Sequence, residues 1–324
     1  MLLDGMKKEI KGQKIKIVLT EGEDIRVLKA AVRLANEELI LPVVVGNIAK
    51  VEEVAKANSL DLGKCEFIDL TTYDKLDDMI DKMTELRKGK QTREECAKLL
   101  EKSNYFGTML VKLGLAQGLV GGATYSTADT VRPALQLVKT KPQNKTVSSC
   151  FIMYDDNQRY VMGDCAIIIE PTADELCEIA VESAKTARIF GIEPKVAFLS
   201  YSTKGSGKGP EVDKVVEAVN KMAELKVDFA YDGEFQFDAA IDESVGKLKA
   251  PDSKVAGQAN AFVFPNLECG NIGYKIAQRL GKLNALGPIL QGLNAPINDL
   301  SRGCSEEDVY ELCIVTAAQH LRGE

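Results

Sequence analysis

The chain has 324 residues but only one histidine, His320, and no tryptophan at all. A Ser–His–Asp triad, a Cys–His dyad and a histidine-built metal site are therefore nearly excluded. Acid–base chemistry would fall to a carboxylate, a lysine, a tyrosine or a cysteine. His320 itself reads as a helix C-terminal residue favoured by the dipole. Apolar runs are short, and none approaches the roughly 18 residues that a membrane span needs. The start, Met1-Leu-Leu-Asp-Gly-Met-Lys-Lys8, lacks the apolar stretch and cleavage site of a signal peptide, so a cytoplasmic protein is expected. Positive charge is not in excess: 41 Lys and Arg against 48 Asp and Glu leave a net −7, which disfavours nucleic acid or an anionic membrane as partner. Eight cysteines are scattered without a C-x-x-C pair, which points to reduced thiols rather than disulfides or zinc. Internal repeats and low-complexity segments are also missing.

What is present is a core. Hydrophobic residues make up 45% of the chain, enough for one large or two ordinary cores. Short β-rich runs (Ile15–Leu19, Leu41–Val45, Phe67–Ile68, Gly118–Val120) alternate with stretches of helical spacing. Those helices are expected from Glu21 to Glu38, from Asp74 to Lys88, from Thr92 continuing through Met109 and Leu113, and from Thr127. Strand–helix alternation is the pattern of a parallel sheet covered on both faces. The polar, proline-containing Lys139–Lys145 reads as a domain crossing. Beyond it come a hairpin (Ser148–Tyr154, Tyr160–Met162), a long helix (Ala173–Phe190), strands at Lys195–Leu199, Val227–Tyr231 and Ala261–Phe264, and a helix from Ile272 to about Leu283. Gly287–Gly292 reads as the return crossing. The architecture expected is two α/β domains, 1–146 plus 291–324 and 147–290, with a cleft between them.

The chemistry concentrates near the C-terminus, in Pro296-Ile-Asn-Asp-Leu-Ser-Arg-Gly-Cys-Ser-Glu-Glu-Asp308. This reads as a polar loop running into an apolar helix, Val309–His320. Ser305 and Asp308 form a capping-box pattern. Ser301, Arg302 and Asp308 put a hydroxyl, a fixed cation and a carboxylate beside a helix start that favours anions. Taken alone, Asp308 reads rather as a capping acid, and Ser301 and Arg302 as loop solvation. Two further stretches are binding-turn candidates at strand ends: Leu119–Thr130, and Tyr201-Ser-Thr-Lys-Gly-Ser-Gly-Lys-Gly209, which fails the P-loop pattern because Gly209 follows Lys208. It reads as a loose anion-binding turn or a mobile loop. Asp238 and Asp242 fall on one helical face, a possible Mg²⁺ pair or a solvated face.

Six stretches together resemble the phosphate acetyltransferases (phosphotransacetylases). They are Gly121–Gln136, Ser200–Gly205, Asp232–Gln236, Phe264–Leu280, Gly287–Gly292 and Pro296–Asp308, in order along nearly the whole chain. The resemblance implies two three-layer α/β/α domains, similar to the isocitrate/isopropylmalate dehydrogenase-like fold. It implies reversible acetyl transfer between coenzyme A and phosphate in a ternary complex, with no acyl-enzyme, no tightly bound cofactor and no metal. Asp308 matches the family's catalytic aspartate, Ser301 its loop serine and Arg302 the acetyl-phosphate-binding arginine. Arg87 and Arg132 match arginines implicated in coenzyme A binding. Ser126, Thr130 and Gln291 are further candidates for the phosphate pocket. Many relatives carry histidine where this chain has Tyr125. A homodimer and coupling to acetate kinase are expected by analogy. The rival readings are phosphate butyryl transfer, a metal-dependent 2-hydroxyacid dehydrogenase of similar fold using Asp238 and Asp242, and a coenzyme A-binding protein without turnover.

Overall fold

The structure is a computed structural model and describes residues 2–323. Its elements run in chain order as α1 (Asp4–Ile10), β1 (Lys16–Leu19), α2 (Ile25–Asn36), β2 (Leu41–Val45), α3 (Ile48–Ala57), β3 (Glu66–Ile68), α4 (Leu76–Arg87), α5 (Arg93–Leu100), α6 (Ser103–Lys112), β4 (Gly118–Gly121) and α7 (Thr127–Pro133). A π turn, Ala134–Val138, extends α7. There follow β5 (Ser148–Tyr154), β6 (Arg159–Gly163), α8 (Ala173–Ile189), β7 (Lys195–Leu199), α9 (Pro210–Leu225), β8 (Ala230–Phe235), α10 (Phe237–Ile241), α11 (Glu243–Lys249), β9 (Ala261–Val263), α12 (Leu267–Arg279), β10 (Asn284–Gln291), β11 (Ile297–Asp299) and α13 (Glu306–Leu321). Two compact units form: one from Leu2–Pro142 and the stretch from Leu293 onward, the other from Gln143–Gly292. Positions 1 and 324, the ends of the first expected domain, lie outside the described residues.

In the first unit five strands pair in the order β11-β4-β1-β2-β3, and every pairing is parallel. Such a sheet is buried on both faces, and Ile17, Val18 and Leu19 of β1 have no exposure at all. Neighbouring residues in a strand point to opposite faces, which shows where the helices sit. Gly118 packs against Thr316 of α13 and Ile17, whereas Gly107 of α6 packs against Val18 and Leu119. α13 and α6 therefore cover opposite faces, and the unit is a three-layer α/β/α sandwich. α2 begins where the Asp24 carboxylate accepts from Arg26 N, and it buries Val27, Leu28, Ala31 and Leu34.

The second unit holds a six-stranded sheet in the order β10-β5-β6-β9-β7-β8. β5 and β6 form the expected antiparallel hairpin, β10 pairs antiparallel to β5, and the remaining pairings are parallel. Phe151, Met162, Leu199, Phe235 and Phe262 centre its core.

Four local expectations are corrected. The helix expected to run from Thr92 through Leu113 breaks at Lys102, which takes an extended conformation. The two halves then serve different surroundings: α5 is largely exposed, whereas residues 104–111 of α6 are all buried. Gly287–Gly292 is not simply a crossing, because 284–291 is a strand with a bulge between Leu286 and Ile289. The polar loop at Pro296 begins instead with a buried strand, β11. Asn298 and Asp299 there are 0% and 1% exposed, and side chains satisfy both: Asn298 donates to Thr316 and Gln319, and Asp299 accepts from two threonines. Asp238 and Asp242 do not share a helix face, since α10 stops at Ile241 and Asp242 starts α11 as its N-cap.

Candidate functional site

Three loops leave the same edge of the parallel sheet of the first unit, at the carboxyl ends of β1, β4 and β11. That edge is where open α/β sheets bind ligands. The β1 loop, Thr20–Asp24, sends the buried Glu21 carboxylate to Gly122 N at 3.0 Å and Thr124 N at 2.6 Å, so it shapes the β4 loop. Asp299, ending β11, accepts from Thr127 Oγ1 at 2.6 Å and Thr130 Oγ1 at 2.5 Å, which fixes the start of α7. Burial raises the Asp299 carboxyl to about 6 although both hydroxyls pull it down; the neighbouring Glu21 charge adds to the rise. The loops approach so closely that Gly122, at φ +109°, has no room for a Cβ: one would lie 2.5 Å from Asp299 Oδ1. Tyr125 is tied by its hydroxyl to Thr20 Oγ1 at 2.7 Å, and burial drives its phenol far above the ordinary range. It is a neutral hydrogen-bonding group at neutral pH.

The β11–α13 loop carries Ser301, Arg302 and Gly303, all exposed, then buried Cys304. The capping box expected at Ser305 and Asp308 is present. Asp308 Oδ2 accepts from Ser305 N at 2.7 Å and Ser305 Oγ at 2.9 Å, while Asp308 N donates to Ser305 Oγ at 3.2 Å. The carboxylate caps the helix through Oδ2, and its Oδ1 takes no hydrogen bond among the described residues. The Arg302 guanidinium has no hydrogen bond or ion pair among the described residues, and among them Ser301 Oγ accepts only from Gly303 N, at 3.3 Å. The first turn of α13 is acidic (Glu306, Glu307, Asp308), which offsets the positive dipole end. The positive charge at this entrance consequently comes from Arg302 rather than from the helix end. Arg33 of α2 holds that turn in place, pairing with Glu307 at 2.5 Å and lying 3.7 Å from the Tyr310 ring centroid.

Arg26 ties the three loops together, and sequence reasoning missed it. Its Nε and Nη2 grip Asp24 at 3.0 and 2.7 Å. Nη1 donates to the carbonyls of Arg302 and Cys304, both at 2.9 Å, and Nη2 to Ala123 O at 3.0 Å. The local signal was Asp24 capping a helix with arginine two residues on. Nothing local announced the distant carbonyls.

The other expected residues fall in different places. Arg87, at the end of α4, donates to Gln91 Oε1 at 2.6 Å and to Gln136 O at 3.2 Å. Arg132 is exposed, 3.7 Å from Asp129. Both cations act on the Tyr105 phenol, pulling it down against the burial that raises it, so the structure brings them into one neighbourhood. Ser126 Oγ donates to Asp129 Oδ2 at 2.6 Å, and Thr130 is committed to Asp299. Gln291 lies in the second unit, 3% exposed, with its amide spent on Ser148, Thr186 and Cys150. A cavity of about 470 Å³ opens beyond β1, β2 and β3, and its lining includes Glu21, Glu23, Asp24, Asp69 and Glu101 but no cation. Phosphate groups are repelled there.

Two covalent or metal-based readings find little support in the side chains. Burial pushes the Cys304 thiol up to about 11 despite Arg26 nearby, which leaves it a poor nucleophile. His320 sits twelve residues beyond Asp308 along α13, about 18 Å away. Asp238 pairs with Lys249 and Asp242 accepts from Ser244 N and Val245 N, so that pair is committed. The Tyr201–Gly209 loop is likewise filled from within: Glu234 accepts from Gly205 N at 2.7 Å and Ser202 Oγ at 2.8 Å. A protein carboxylate occupies the place an outside anion would take.

What remains open is one guanidinium, one hydroxyl and one carboxylate oxygen at a helix entrance, with two further arginines on α4 and α7. Comparison with known proteins bears on the chain as a whole. A phosphate acetyltransferase from Staphylococcus epidermidis is 54% identical, with 99% of each chain covered. A solved phosphotransacetylase from Streptococcus pyogenes is 54% identical at a TM-score of 0.96, covering 99% of this chain and 98% of that one. For the fold alone, a solved protein from Salmonella typhimurium, described as a candidate 4-hydroxythreonine-4-phosphate dehydrogenase, aligns at a TM-score of 0.55 and 13% identity over 94% of this chain and 99% of that one. The family model for phosphate acetyl/butaryl transferase matches residues 1–317, and the chain belongs to that family.

Proposed function

We propose that this protein transfers an acetyl group reversibly between coenzyme A and phosphate, by direct attack of the coenzyme A sulfur on acetyl phosphate. The observation that carries the reading is the β11–α13 loop, where Arg302 is unpaired among the described residues and Asp308 keeps one oxygen free. End-to-end likeness to phosphate acetyltransferases supports acetyl as the group carried.

The thiol proton passes to Asp308 Oδ1, leaving a thiolate. The sulfur lone pair forms a bond to the carbonyl carbon. The carbon–oxygen bond to phosphate breaks, and the phosphate departs with that electron pair. Asp308 then returns the proton to solvent or to the departing phosphate. Ser301 keeps its hydroxyl proton to donate to the sulfur as negative charge gathers there. Arg302 holds the phosphoryl oxygens and the charge growing on the carbonyl oxygen. Arg87 and Arg132 take phosphates of coenzyme A, which is a substrate and not a bound cofactor. Ser126 and Thr130 act behind the pocket by holding Asp129 and Asp299. Gln291 takes no part. The same reading carries a homodimer, a cytoplasmic setting and coupling to an acetate kinase that shares acetyl phosphate.

The test is the ultraviolet absorbance of the thioester when purified protein meets acetyl phosphate and coenzyme A, repeated with butyryl phosphate. Faster turnover of the acetyl compound supports the reading. Preference for butyryl phosphate refutes acetyl as the natural group, and no thioester from either refutes the acyl transfer itself.

A further inference from the structure

The strongest unassigned feature of the molecule is the Arg26 guanidinium. Arginine has five N–H donors and no acceptor. All five find partners inside the protein: Nε on Asp24 Oδ1, two from Nη1 on the carbonyls of Arg302 and Cys304, and two from Nη2 on Asp24 Oδ2 and Ala123 O. An arginine beside a phosphate-handling loop invites a binding role, but this one has no donor left to offer a ligand. Its partners are also unusual. Three are main-chain carbonyls in two loops more than 90 residues away along the chain, at separations of 276, 278 and 97 residues. Two of them, those of Arg302 and Cys304, bracket Gly303 and lie just before Ser305, the cap that fixes Asp308.

We propose that Arg26 is a positioning residue for acyl transfer, which fixes the backbone of the β11–α13 loop so that Arg302 and Asp308 meet the acyl phosphate in register. The inference rests on the acyl-transfer reading above. The argument is geometric. A loop whose Ser301 and Arg302 side chains face solvent is otherwise held at residues 301–304, among the described residues, by one backbone bond, Cys304 N to Ser301 O at 2.9 Å, and by Gly303 N on Ser301 Oγ. Arg26 adds two charge-assisted bonds to this span and binds it to the β4 loop through Ala123. The Asp24 carboxylate holds the guanidinium plane at two points, so the fork is set before any ligand arrives. Lysine cannot replace it, because one ammonium carries only three donors from a single point.

Two measurements on Arg26→Ala and Arg26→Lys test this. Steady-state kinetics of each should show kcat reduced about 100-fold for Arg26→Ala, as expected when reacting groups drift by about 1 Å. The KM for acetyl phosphate should rise and the KM for coenzyme A should stay within about twofold, since Arg87 and Arg132 are elsewhere. Added guanidinium ion should restore part of the Arg26→Ala rate. Amide hydrogen exchange, which needs no activity, should quicken over residues 300–305 and 122–126 in both variants and stay slow in the body of α13. Unchanged exchange in those loops overturns the proposal. So does a selective rise in the KM for coenzyme A with kcat intact, the signature of a binding arginine. Should Arg26→Ala not fold, Arg26→Lys carries both measurements, and wild-type kcat in that variant overturns the proposal. A wild-type enzyme that makes no thioester would sink the acyl-transfer reading instead, a result separable from the exchange data.

Discussion

Replacing Asp308 by asparagine separates the cap that this carboxylate forms from the general-base role proposed for it. As a cap, Asp308 uses Oδ2 to accept from Ser305 N and Oγ. Asparagine keeps one carbonyl oxygen for those donors, so much of the cap survives. Losing it altogether would cost only about 1 kcal/mol, or about 2 °C in melting temperature for a chain of this size. The proposed role as general base would be worth about 10²–10⁴ in rate, equivalent to roughly 3–5.5 kcal/mol of barrier. Asparagine cannot take the proton at all. The two jobs therefore differ by orders of magnitude in what an assay reads. Asp308→Asn should lower kcat by about 10²–10⁴, with coenzyme A binding near normal and the melting temperature almost unmoved. Ser305→Ala supplies the contrast: it removes the Oγ bonds and leaves the carboxylate, so it should lose stability of about 1 kcal/mol and keep most of its rate. Thioester formation and thermal melts on both variants check this. Equal losses of activity in the two variants would refute the reasoning and leave Asp308 as a cap alone.

Arg302→Gln should lower kcat and raise the KM for acetyl phosphate together, because the role proposed for the guanidinium is to hold both ground-state phosphate and developing charge; initial rates at varied acetyl phosphate check it. Arg87→Gln should mainly raise the KM for coenzyme A, and an unchanged KM would withdraw Arg87 from that role. Gly122→Ala forces an L residue to φ +109° and sets a Cβ 2.5 Å from Asp299 Oδ1, so a denaturant melt should show a loss of about 2–4 kcal/mol. Asp299 has a definite pH signature. Its folded-state carboxyl is raised to about 6, so its contribution to stability is complete below about 4, the unfolded value, and disappears as pH rises through 6. The difference amounts to about 3 kcal/mol. Melts of the wild type and of Asp299→Asn across that window should diverge, the wild type losing stability with rising pH relative to the variant.

The alternation of strands and helices was legible in the sequence because Val43-Val44-Val45 and its like are apolar on both sides, as a buried parallel strand must be. The capping box at Ser305 was legible because it is local. β11 was not. Asn298 and Asp299 look like loop residues, and only α13 and α7 supply the partners that make them affordable inside a sheet. β10 was read as a crossing because Gly287 and Pro288 are turn formers, and the bulge they make there is compatible with an antiparallel strand. Among site residues, Ser301, Arg302 and Asp308 share one loop and helix start and so could be found together. The roles of Thr130 and Arg26 depend on atoms 169 and 276 residues away, a distance no local pattern spans. Arg87 and Arg132 came from resemblance alone, and their common neighbour Tyr105 appears only in three dimensions.

The central claim is that acetyl passes straight from phosphate to sulfur, with no stop on the protein. Initial rates measured over a grid of acetyl phosphate and coenzyme A concentrations address this most directly. Double-reciprocal lines that intersect, with no acetylated protein by mass spectrometry after acetyl phosphate alone, are the expected result. Parallel lines, together with an acetyl group found on the chain, would contradict the account.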